Sequence, residues 1–264
     1  MYKYLYVSKN SFAEYMAYRL NFILWRLRVV ISILITYFLW LAIYQGRQII
    51  FNYDKQAMFT YIVLLTFLQG IVFSTQTFRV AEEINNGTLS NYLLRPVNFI
   101  AYNLFRDISD KLINTFFSII EIALILFILR PDFFWQTDPG RLILFMAAII
   151  VSTILYFFIN LTLSFIGFWS REVWAPRFIF FIIVTFLAGT YFPLDIFPVA
   201  IYKILELLPF TYLIFFPLKI YLGHLAFPNI LIGFFISFFW LIALYYLTKI
   251  VWHKGLRAYT AEGH

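Results

Sequence analysis

Apolar positions run almost unbroken along this chain, so the informative places are those where they stop. A membrane helix needs about 20 mostly apolar residues to cross a hydrocarbon core of about 30 Å. Six runs approach that length: Val29–Tyr44, Ala57–Phe78, Leu112–Leu129, Leu142–Trp169, the shorter Arg177–Phe192, and Asn229–Trp252. The pattern predicts an all-α integral membrane fold with six transmembrane helices in a single domain, residues 1–264. No polar section is long enough for a separate soluble domain, and no internal repeat is visible.

Three segments break the pattern. Before the first run, Ser11 and Glu14 have capping-box spacing. Phe12, Met16, Leu20, Ile23 and Leu27 then recur at steps of three or four, with Glu14, Arg19, Asn21 and Arg26 off that stripe. Residues 1–28 read as an amphipathic helix on the inner leaflet, or as the beginning of a long first span. The second segment, residues 193–228, is chopped by Pro193, Pro198, Pro209, Pro217 and Pro228. Each proline removes an amide donor and disfavours helix continuation. Short helices dipping into or lying on the outer leaflet are expected there, the rival being further spans kinked by proline. Irregular backbone at that depth must be buried in protein or line a wet cavity.

The third segment is "EEINNGTLSNYLLRP", Glu82 to Pro96. Asn86-Gly87 is a turn signal. Thr88 could N-cap a short helix, Leu89 to Leu94. Arg95 suits the C-terminal dipole of that helix, and Pro96 ends it. Leu89, Leu93 and Tyr92 would form an apolar knob with charged flanks, the pattern of a docking element; a simple connecting loop fits equally well.

Composition agrees with the membrane reading. The chain is 63% hydrophobic and only 12% charged, against about 25% charged in a soluble domain. Its net charge of +7 reads as the positive-inside rule rather than as nucleic-acid binding. With the N-terminus inside, fourteen of the 20 Lys and Arg fall on the inner side, so both termini and the Glu82–Pro96 insert are expected to be cytoplasmic. A cleavable signal is not expected, because the first apolar run comes late and no small-residue site follows it.

Chemistry-bearing constellations are sparse. There are no cysteines, and His224, His253 and His264 are far apart, so no metal site is expected. No GxxxxGK[ST] and no HExxH occurs, so neither a P-loop nor a zincin site is encoded. The sequons at Asn86 and Asn160 are read as chance. One acid, Glu121, sits in the middle of a span. A central acid costs about 2.5 to 3.5 kcal/mol on the insertion scale, which a dozen Leu, Ile and Phe more than offset. It should face a cavity, as a point on a substrate path, or pair with a neighbouring helix.

On these residues the chain resembles ABC-2-type transporter permeases, the type-2 ABC exporters, and among them the bacterial six-span group. "EEINNGTLSNYLLRPVN" is similar to the family segment after span two, where a Glu, Gly-Thr-Leu, Leu-Leu and a proline form the coupling helix. "YFPLDIFPVAIYKILELLPFTYLIFFPLKIYLG" resembles the family's extracellular short-helix region. The resemblance implies a cytoplasmic connecting helix over 1–28, a coupling region over 79–111 and extracellular re-entrant helices over 193–228. It assigns ATPase coupling to Glu82, Glu83, Gly87, Thr88, Leu89, Leu93, Leu94, Arg95 and Pro96. One departure stands out: the family's acidic-basic run before Gly-Thr has no base here.

The resemblance further implies a permease subunit with no catalytic, cofactor or metal site of its own, working with a cytoplasmic ABC ATPase dimer that binds ATP and Mg. A second permease, the same chain or a paralogue, would complete the path in a prokaryotic cytoplasmic (inner) membrane. The substrate would be a small hydrophobic or amphipathic molecule moved outward. Its path would be built by spans one, two and five, with Gln69, Thr75, Gln76 and Glu121 as polar points. The rival readings are an ATPase-independent secondary transporter or channel, which predicts several intramembrane charges and repeat symmetry, and a membrane enzyme, for which the constellations are missing.

Overall fold

The computed structural model describes residues 19–94 and 98–259. Helix α1, Arg19–Ile43, contains neither Pro nor Gly and so runs without interruption. Within it, Arg19–Arg28, the described part of the expected connecting helix, is continuous with the first apolar run; residues 1–18 lie outside the described residues. A two-residue hairpin follows, Ile49–Ile50 against Tyr53–Asp54. Its turn residues, Phe51 and Asn52, have positive φ of 50° and 63°, which matches the twist of the flanking strands. Asp54 then caps helix α2, Lys55–Leu68, by accepting from the amide of Ala57 at 2.7 Å.

The expected second span does not run straight through to Phe78. After α2 the chain makes a π-turn over Gln69–Phe73, leaves the helix at Ser74, and re-enters one as α3, Phe78–Asn85. A short helix α4, Ser90–Leu93, and a long one, α5, Phe99–Leu129, follow. Helix α6 covers Pro139–Ser164 and tightens into a 3₁₀ turn at Phe165–Phe168. Helix α7, Trp174–Leu187, has 14 residues, ~21 Å at 1.5 Å per residue. It is the segment expected as the fifth span, and it stops early because Gly189 turns back with φ +81°. Short helices α8, Val199–Glu206, and α9, Phe215–Tyr221, precede the last long helix α10, Phe227–Ala258.

Among the described residues, five helical stretches are long and apolar enough to cross a membrane, and α7 is a shorter sixth apolar helix. Helix α2 is the hub: every residue from Ala57 to Thr66 is buried. Helix α6 is its counterpart, buried throughout Leu155–Leu161. Helices α1, α5 and α10 surround them and keep wide apolar faces exposed, for example Ile35, Phe127 and Phe235, as helices in lipid do. Glycines permit the closest approaches. A Cβ on Gly233 would lie 2.2 Å from the Phe216 ring, and one on Gly255 would lie 2.1 Å from Phe168.

The proline-rich segment is neither a pair of spans nor a surface layer throughout. All seven residues of α9 are buried, so this non-spanning backbone is covered by protein. A polar knot fixes it: Lys219 donates to Asp195 at 2.6 Å, Tyr53 donates to both oxygens of Asp195 at 3.1 Å, and Tyr44 donates to the Tyr53 carbonyl at 2.9 Å. Removing one partner strands a buried charge, whereas replacing both does not. Asp195→Ala is therefore expected to cost about 3–5 kcal/mol, and Asp195→Leu with Lys219→Met to recover most of it. Thermal unfolding of the purified protein in detergent reads both; equal melting of the single and double variants would contradict this.

Candidate functional site

The Glu82–Leu94 element begins where α2 breaks. Leaving a helix frees its last carbonyls, and inside lipid no water can satisfy them. Here α5 supplies the partners. Lys111 donates to the carbonyls of Ile71, Val72 and Ser74, and lies 3.3 Å from Asp107. Asp107 accepts from the Gln76 amide at 3.0 Å, and Asp110 from the Gln76 side chain at 2.9 Å. Behind the break, Ser164 donates to the Thr77 carbonyl at 2.7 Å. Gln76, expected on the path, is thus a buried strut. Lys111 and Asp107 were not singled out from sequence, although their i, i+4 spacing at the start of an apolar run was a signal.

From this anchored break α3 leads into a tight turn. Gly87 takes φ +73°, which only glycine adopts without steric cost. Its carbonyl accepts from Ser90 Oγ at 2.7 Å and from Tyr259, at the end of α10, at 2.8 Å. Thr88 does not cap the short helix: its hydroxyl donates to the Glu83 carbonyl at 3.3 Å, and α4 begins after Leu89 with no side-chain cap. Glu83 accepts from Arg106 of α5 at 2.8 Å and from Tyr92 at 3.3 Å. Burial, and then the nearby Glu83 carboxylate, push the Tyr92 hydroxyl well above its ordinary pKa, so it stays a donor. Glu83 thus finds a basic partner 23 residues further on.

The apolar knob also differs from expectation. Leu89 points inward and is fully buried; Leu93 and Leu94 are the exposed leucines, at 45% and 86%. Arg95 and Pro96 lie outside the described residues. Glu82, neighbouring Glu83 on α3 but on a different face, has no side-chain hydrogen bond among the described residues and lines a cavity of about 570 Å³ with Thr75.

A second cavity, of about 500 Å³, lies between α1, α2 and α7. Gln69, Ser32, Thr66, Thr185 and Arg26 give it polar points on a wall of Phe73, Phe178 and Phe181. Glu121 does not line it. It accepts from Arg26 at 3.2 and 3.4 Å, while Arg26 also donates to Asn114 Oδ1 at 2.6 Å. Of the four expected path residues, Gln69 reaches this cavity directly, and Glu121 touches it through Arg26.

A bundle of long apolar helices, tied together by buried ion pairs and with one helix broken at a protein-lined turn, defines a polytopic membrane protein. The family model described as ABC-2 family transporter protein matches residues 30–263. The chain belongs to that family, and its role is that of an ABC transporter permease. No curated protein matches it.

If Lys111 is what allows the break, Lys111→Met leaves three carbonyls and a buried carboxylate without their cation. The expected loss is on the order of 3 kcal/mol, with faster amide exchange over Gly70–Gln76. Unchanged melting and unchanged exchange there would overturn this role.

Proposed function

We propose that this chain is the membrane half of an ABC exporter and receives the work of ATP hydrolysis through the Glu82–Pro96 element. The observation that carries this reading is the contrast within that element. Its base is bolted down, through Glu83–Arg106, Gly87–Tyr259 and the Lys111 clamp. At its tip, Leu93 and Leu94 project an apolar edge. A rigid lever with a greasy tip is what a cleft on a separate ATPase can push. ATP and Mg would sit on that ATPase dimer. In this reading the positive-inside bias of the basic residues supports a cytoplasmic location for this end and for both termini, the family supports a prokaryotic inner membrane, and α7 with its following turn would complete the six spans.

The cavity between α1, α2 and α7 is the substrate path in this reading, completed by a second permease, identical or paralogous. Aromatic walls with a few hydroxyls and two arginines, Arg26 and Arg28, suit a hydrophobic or amphipathic molecule. The cavity abuts the broken end of α2 at Gln69–Ser74, so displacement of the lever would be felt in its wall.

The test is a complex with the cognate ATPase in liposomes. Leu93→Asp with Leu94→Asp is expected to lower coupled transport at least about tenfold, the effect of losing an interface hot spot, while the permease alone melts normally. Leu89→Asp is expected to unfold the element instead and to lower the melting temperature. Transport at the wild-type rate in the Leu93/Leu94 variant would sink the docking assignment.

A further inference from the structure

The 570 Å³ cavity beside α3 is not part of the path described above, although Phe73, Phe178 and Phe181 are shared between the two walls. Its charged lining consists of two carboxylates, Glu82 and Glu172, and two guanidiniums, Arg171 and Arg177. Arg177 is held in place by donating to Ser164 Oγ, and Glu172 accepts from the Ala175 amide at 3.3 Å at the start of α7. Glu82 and Arg171 are different. Neither side chain has a hydrogen bond or ion pair among the described residues, and although they share one cavity they do not pair with each other. Glu82 is within electrostatic reach of Arg177 but makes no hydrogen bond or ion pair with it among the described residues, so the cavity offers charges of both signs with donor and acceptor positions still open, which complements a molecule that carries both signs.

The surroundings indicate what kind of molecule. Trp174 is 72% exposed and stacks on Phe178 with ring centroids 5.1 Å apart. Both line the cavity, and the exposed apolar face of α7 continues from them through Ile179 and Ile182. An aromatic pair at the boundary between a charged cavity and a lipid-facing helix marks headgroup depth. We propose that this cavity binds the headgroup of a zwitterionic aminophospholipid. Its phosphate is held by Arg171 and Arg177, its ammonium donates to Glu82, and its acyl chains lie along α7. A phosphate accepts readily from guanidinium forks, and an ammonium–carboxylate contact is a charge-assisted hydrogen bond.

The inference rests only on the chain lying in a bilayer and not on the transport reading. It also opposes the default expectation, since a basic membrane-facing surface ordinarily prefers anionic lipid. The experiment is native mass spectrometry of the full-length chain, delipidated in detergent and titrated with phosphatidylethanolamine or phosphatidylglycerol, which share the phosphate and differ in the amine. Wild type is expected to retain the ethanolamine lipid about tenfold better, the effect of one charge-assisted hydrogen bond. Glu82→Gln should remove that preference, and Arg171→Gln should weaken retention of both lipids. Both residues are exposed, and unchanged melting verifies that each variant is folded. Equal retention of the two lipids by wild type, or a preference that survives Glu82→Gln, overturns the assignment.

Discussion

A backbone that leaves its helix at the edge of a bilayer must find a partner for every carbonyl it frees, and Lys111 is that partner here. One ammonium with three donors meets three carbonyls at the end of the α2 π-turn, and Asp107 balances its charge while holding the amide of Gln76. With this clamp in place, the most buried of the span-length stretches among the described residues is joined through Ser74–Thr77 to the element bearing Leu93 and Leu94. Both cavities and the α3–α4 element adjoin this junction.

The other buried charges follow the same logic at longer range. Arg26 joins α1 to Glu121 on α5, Arg106 joins α5 to Glu83 on α3, and Lys219 joins α9 to Asp195. Lipid tails are as apolar as leucine, so no hydrophobic force draws peripheral helices inward; packing and polar contacts must do so. Small residues do the rest, as where Gly233 and Gly255 let α10 settle onto Phe216 and Phe168.

The periodic features of this protein were legible along the chain. Six apolar runs marked the helices, and the Asn86-Gly87 turn and the proline-chopped segment fell where the structure has irregular backbone. The pairings were not legible. Glu121 read as a partner for a neighbouring helix ahead of a point on a path, but its partner could not be named, and only the packing of α1 against α5 brings Arg26 to it. Thr88 read as a cap because cap chemistry is local, but the helix began one residue later and the hydroxyl took a backbone carbonyl instead.

What the sequence determined by itself is the solvent: with so few charges and such long apolar runs, lipid must surround this chain, and the helices follow from that alone. Where the one mid-span acid would find its counter-charge, which leucine of the Gly-Thr-Leu element would face outward, and how a helix could break beside lipid were decided by tertiary structure. Each depends on groups far apart in the chain, 23 residues for Glu83 and Arg106 and 95 for Arg26 and Glu121, and such separations are closed by packing, which no local pattern encodes.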